Sequence, residues 1–188
     1  MSVEINIPRT NSPQFIDSDD ESDSDVESFM VKPFLTLEEG IKAHNEKKYD
    51  IAWECFVAQS KIDNPKAKYW KAYYLYNGRN GVKDVDEAIK LYKEAAEDDV
   101  SEASFQYAVC ILKHQQYFNK EDYEKYLRKA ADHKHIDAQF HLAELYIRGK
   151  FEIEKNSEEG IKYLKLAALE NHFKAWDLVM ELKINVYE

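Results

Sequence analysis

Alanine returns in this chain about every 36 residues, and few folds tolerate that. Ala67, Ala103, Ala138 and Ala175 are spaced 36, 35 and 37 apart, and the pairs Ala95-Ala96, Ala130-Ala131 and Ala167-Ala168 follow at 35 and 37. Each pair closes a lysine-containing amphipathic run, such as Tyr123-Glu-Lys-Tyr-Leu-Arg-Lys-Ala-Ala131. A period of this length marks stacked supersecondary units, each burying its apolar face only against its neighbours. The expectation is an all-α, right-handed solenoid of about four helix-turn-helix repeats with a C-terminal capping helix. Such an array suits a binding scaffold better than a catalytic domain.

Local signals keep the same period. Thr36-Leu-Glu-Glu39 is a capping box that opens the first helix, and Asn64-Pro65 supplies an N-cap with proline at the first helical position. Asp84, Asn119 and Asn156 each precede an acid by three residues (Glu87, Asp122, Glu159), and these caps recur at 35 and 37. Helix pairs are expected at 36–46 with 49–61, 65–77 with 85–97, 101–114 with 120–132, and 136–148 with 157–170. A last helix at 173–183 has no partner. Small residues at Ala72, Ala108, Ala143 and the alanine pairs let helix axes approach closely.

Charge divides the chain in two. Residues 1–33 carry eight acids against Arg9 and Lys32, a net of −6, whereas residues 34–188 hold 24 basic and 28 acidic side chains, a net of −4. The first segment is rich in Ser and Asp and lacks an apolar period, so it reads as a disordered acidic tail ahead of a repeat domain at 34–188. No lysine/arginine block offers a face for a phosphate backbone, which excludes nucleic acid as the expected partner. The first ten residues lack the pattern of a secretory signal, and no apolar run is long enough to insert in a membrane. Two cysteines 55 residues apart, Cys55 and Cys110, make no disulfide framework and fit a reducing compartment. The expected location is the cytoplasm, with the nucleus as the alternative.

The units resemble the Sel-one-like repeat, a relative of the tetratricopeptide repeat. Residues 138–149 carry its first helix through Ala138, Leu142, Ala143 in the glycine slot, Tyr146 and Gly149; residues 67–96 match through Ala67, Ala72, Leu75, Gly78, Gly81-Val82, Asp84, Ala88, Tyr92 and Ala95-Ala96. Residues 103–131 keep Ala103, Ala108 and Ala130-Ala131 but lack both loop glycines. The first pair looks more like an ordinary tetratricopeptide unit. The resemblance spans about 150 residues and implies an adaptor that assembles other proteins, as family members do in degradation complexes, cell-wall synthase activation and signalling.

The family's first helices line a concave groove, which by alignment puts Trp70, Tyr73, Tyr74 and Asn77 beside Gln106, Val109, Cys110 and Lys113, then His141, Glu144, Leu145 and Arg148. This mixed aromatic and polar surface suits a peptide or partner helix. The alternative is that Trp70, Tyr73 and Tyr74 pack against the preceding pair. In the tail, Ser18, Ser22 and Ser24 each precede an acid by three residues, as in acidophilic kinase sites, and a solubilising leader stands beside that reading.

The expected function is noncatalytic: a scaffold or adaptor holding a protein or peptide partner on its concave face, with no cofactor. One rival is a regulatory module acting with a signalling kinase. The other is a metal-dependent enzyme using His133, His135 and His141, but no thiolate or carboxylate stands at ligand spacing from them. Oligomeric state is left open by the sequence.

Overall fold

The computed structural model describes residues 35–187, and these are helical without a strand. The expected disordered tail, including Ser18, Ser22 and Ser24, lies outside the described residues. The helices are α1 (Leu37–Asn45), α2 (Tyr49–Ser60), α3 (Pro65–Asn77), α4 (Val85–Glu97), α5 (Ser101–Lys113), α6 (Lys120–Asp132), α7 (Ile136–Arg148), α8 (Ser157–Leu169) and α9 (Phe173–Leu182). They form four antiparallel pairs and a lone last helix, each element packing chiefly on its chain neighbours. Single 3-10 turns follow α5 at Gln115–Tyr117 and α7 at Lys150–Glu152.

Helix starts follow from capping chemistry. Thr36 and Glu39 form the reciprocal box, with the Glu39 amide donating to the threonine hydroxyl at 3.2 Å and the Thr36 amide donating to the Glu39 carboxylate at 3.0 Å. Asn64 accepts from the Ala67 amide at 3.2 Å, and Asp84, Asn119 and Asn156 accept from Glu87, Asp122 and Glu159 at 3.0, 2.8 and 3.1 Å. His135 and His172 are caps too, their Nδ1 atoms accepting from Ala138 and Ala175 at 3.3 and 3.2 Å. The turns after the second helices also repeat: Asp63, Asp99, Lys134 and Asn171 share one slot and all adopt left-handed backbone.

The alanine columns are where the stack is tightest. Ala72, Ala108, Ala143 and all three alanine pairs are buried. A methyl built on Gly160 would meet the Ala143 carbonyl oxygen at 3.2 Å and Ile147 Cγ1 at 2.8 Å, so α7 and α8 touch almost backbone to backbone. Gly40 does the same for α1 against Cys55 and Phe56 of α2, both at 2.8 Å.

Two cores run through the array. Leu37, Ala43, Ala52, Phe56, Ala67 and Tyr74 pack the first three helices together. A larger cluster, from Ala72 to Val186, joins α3 through α9, with Trp53 and Tyr73 bordering both. Polar bonds lace successive second helices in the same periodic way. Lys93 reaches Asp122 at 3.0 Å, and its equivalent Arg128 pairs with Glu159. The Tyr126 hydroxyl donates to Glu97 at 3.3 Å, and its equivalent Tyr163 donates to Asp132 at 2.6 Å.

Candidate partner-binding site

Aligned positions on the first helices form four columns with different environments. Trp70, Gln106 and His141 are half-buried, as are Tyr73, Val109 and Glu144; Asn77, Lys113 and Arg148 are exposed. The remaining column, Tyr74, Cys110 and Leu145, is buried in all three repeats. Tyr74 therefore does not line a groove, contrary to the expectation from alignment. Its position turns toward α1 and α2 because neighbouring residues on a helix point about 100° apart, and Tyr73 already faces outward.

Tyr74 is 0% exposed and sits among rings: Phe56 at 5.3 Å, His44 at 5.7 Å, Trp53 at 6.1 Å and Tyr49 at 6.2 Å between centroids. Its hydroxyl is 2.9 Å from His44 Nδ1, and burial pushes its pKa up to about 12. Burial, then the nearby Arg79 charge, lowers the His44 pKa, so the imidazole is neutral at pH 7. Trp70 stacks on Phe56 at 5.3 Å with the planes 9° apart and meets the His44 ring at 4.8 Å. One face of the indole is thus spent on packing.

Tyr73, like Trp70, is half-buried, and it borders both cores. Arg79, from the turn after α3, lies over it at 5.3 Å and over Tyr49 at 5.0 Å, a guanidinium shared by two rings. Asn77 turns its amide back onto its own helix, donating to the Tyr73 carbonyl at 2.8 Å. Further along, His141 lies 5.8 Å from Phe105, and burial lowers its pKa. Glu144 is held by Arg148 at 3.5 Å and Lys150 at 3.3 Å, and Arg148 also reaches Glu181 at 3.5 Å. Lys113 is exposed. The surface therefore grades from aromatic and cationic near Tyr73 and Arg79 to mixed-charge near Arg148. It presents rings and charged groups suited to stacking and ion pairing.

Arg79 is the site residue that sequence reading missed: within Asn77-Gly-Arg-Asn-Gly81 only the turn was legible. The histidines resolve into structural roles. His135 stacks on Phe105 at 4.3 Å and His172 on the equivalent Phe140 at 4.6 Å while both cap helices. No group of three or more metal-ligating side chains converges among the described residues. Cys110 is buried, and burial pushes its thiol up to about 11, the opposite of nucleophile activation. No helix among the described residues is long and apolar enough to cross a membrane.

The fold is that of a helical-repeat solenoid. The Sel1 repeat family model matches residues 65–100, 124–135 and 136–172. The chain is similar to the crystal structure of a Sel1 repeat protein from Oxalobacter formigenes, with a TM-score of 0.65 and 28% identity over 75% of this chain and 58% of that one. A protective antigen of uropathogenic Escherichia coli displaying an SLR fold shares the architecture, with a TM-score of 0.62 and 21% identity over 70% of this chain and 29% of that one. Chitin synthase regulatory factor 2 of Schizosaccharomyces pombe is 33% identical over 88 residues, which are 45% of this chain and 17% of that protein. The chain thus spans less than two thirds of the length of each of these relatives, from 17% to 58%.

Proposed function

We propose that this protein is a noncatalytic adaptor that holds a segment of a partner protein on the concave face of α3, α5 and α7. The observation that carries the reading is the register of that face: in three successive repeats, two columns are half-buried and one exposed, with Tyr73 and Arg79 at one end and Arg148 at the other. A linear row of equivalent positions matches an extended or helical segment. The adaptor acts in the cytoplasm, or in the nucleus, and phosphorylation at Ser18, Ser22 or Ser24 tunes recruitment.

A regulatory version is favoured by the fission-yeast relative, whose name assigns it control of chitin synthase. In that version the bound segment belongs to an enzyme, such as a polysaccharide synthase or a kinase, whose activity changes on binding.

Capture from native extract with the full chain tests the proposal. The comparison is with Lys113→Ala/Arg148→Ala, whose side chains are exposed and whose fold is expected to persist. A partner retained by the parent and lost by the variant supports the reading. Equal capture by both overturns the assignment of this face.

A further inference from the structure

Three equivalent grooves lie between successive second helices, and the third is built differently from the other two. In the first, between α2 and α4, Lys68 fills the space: its side chain is 13% exposed and its ammonium pairs with Asp63 at 3.0 Å and Glu94 at 3.3 Å. In the second, between α4 and α6, Lys129 does so from the position equivalent to Glu94, pairing with Asp99 at 2.8 Å and donating to the Glu97 carbonyl at 3.2 Å. Ser104, equivalent to Lys68, is small there and satisfied by the Val100 carbonyl at 3.2 Å.

In the third groove, between α6 and α8, every one of these slots changes chemistry. The acid slot of Asp63 and Asp99 holds Lys134; the slot of Glu94 and Lys129 holds Leu166; the slot of Lys68 and Ser104 holds Gln139. The bridge of the first two grooves does not recur, and the groove stays open as a cavity of about 420 Å³. Leu166 and Leu169 wall it with 39% and 52% of their surface exposed, and Lys134 and Lys162 stand at its edges. Of its two acids, Asp132 is taken by the Tyr163 hydroxyl at 2.6 Å, and Glu170 lies exposed at the end of α8.

Gln139 also lines this cavity and is 4% exposed. Its amide nitrogen donates to the Ala131 carbonyl at 3.2 Å, which fixes the orientation of the group, and its Oε1 has no hydrogen-bond partner among the described residues. That oxygen is itself enclosed, so Gln139 contributes a fixed polar floor to the groove. The volume falls in the range of ligand sites.

We propose that this third groove is a second docking site, taking an extended peptide segment of a partner in which an aliphatic or aromatic residue adjoins an aspartate or glutamate. The apolar side chain lies against Leu166 and Leu169, where the stem of Lys129 lies in the second groove. The acid faces Lys134, replacing the carboxylate that the first two grooves supply from within the chain. The site is separate from the face of α3, α5 and α7 and does not depend on it.

A random dodecapeptide phage library panned on the full chain tests this, followed by affinity measurement on the best synthetic peptide. The expected consensus pairs an apolar residue with an acid. Leu166→Lys, which installs the residue of the second groove, should weaken binding at least tenfold. Leu166→Lys/Lys134→Asp should rebuild the internal bridge and abolish binding without lowering the melting temperature. If that double variant fails to fold, the partly exposed Leu166→Lys carries the test alone. Lys113→Ala/Arg148→Ala should leave the affinity unchanged. A basic consensus, no enriched peptide, or peptides that bind the groove variants as well as the parent would overturn the proposal. So would loss of binding in the Lys113/Arg148 variant with retention in the groove variants, because that result places the peptide on the other face.

Discussion

Tyr74 is fully buried among aromatic side chains, whereas Tyr73 is half-buried, with His44 and Trp70 beside it and a guanidinium over its ring. Removing a fully packed aromatic leaves a cavity as well as losing burial, so Tyr74→Ala is expected to destabilise the chain by about 3–5 kcal/mol. Tyr73→Ala should fall well below that, and below Ala143→Leu, where added carbons enter a fully buried slot and overpacking costs about 1–3 kcal/mol. Urea unfolding of the three variants checks the order; a larger loss for Tyr73 than for Ala143 would make Tyr73 a core residue. Titration belongs to the same scale. Burial is the first cause of the lowered pKa values of His44, His135 and His141. Below the unfolded value of 6.5, the unfolded chain therefore binds more protons at these sites than the folded one, and stability falls with falling pH. Melting temperature is expected to drop between pH 7 and pH 5, and His141→Gln should flatten the slope. The columns of the first helices could be aligned from sequence alone, yet whether Tyr74 met a partner or the core depended on how α1 and α2 lie against α3. A periodic pattern gives spacing along the chain and says nothing of the angle at which the preceding pair packs.

Helix ends were legible wherever a side chain satisfies an orphan amide. The limits of α3 and α4 fall where Asn64-Pro65, Gly78, Asp84 and the Ala95-Ala96 pair place them, and the caps at Asn119 and Asn156 start α6 and α8. The end of α5 was harder to read, because no glycine marks it and the chain continues into a 3-10 turn whose Tyr117 hydroxyl bonds Asp86. The histidine caps were recognisable only as a repeated slot, since imidazole is a rarer N-cap than asparagine. The third groove was also written in the sequence, as Leu166 standing where Lys129 stands one repeat earlier. Its meaning needed the structure, which shows Lys129 reaching Asp99. Because the caps act locally, Asn119→Ala is expected to lower stability by about 1 kcal/mol. Denaturant curves should show the midpoint move with little change in slope, since the buried surface is unchanged.

Across the whole molecule, stability is a chain of nearest-neighbour terms. Each helix packs chiefly on the one before and the one after, and the polar ladder runs from each second helix to the next, with Tyr107 and Tyr146 of the intervening first helices bonded into it. Stacks of this kind lose protection progressively from a disturbed end. The C-terminal end is held by α9, which buries Ala175, Leu178 and Val179 while Arg148 pairs with Glu181 across to α7. Deleting residues 173–188 uncovers one side of α7 and α8 and removes the cap that His172 supplies to α9. It leaves every contact among α1 to α4 in place. Amide hydrogen exchange on the truncated chain is therefore expected to show the largest loss of protection in α8 and α7, a smaller loss in α6 and α5, and the least in α1 and α2. A uniform loss along all eight helices would mean that the array unfolds as one unit. Leu166 and Leu169 would then be coupled to Tyr73 through the global unfolding equilibrium, and a peptide in the third groove would raise protection at the distant face as much as beside itself. Under the nearest-neighbour reading, the same peptide protects α6 to α8 first.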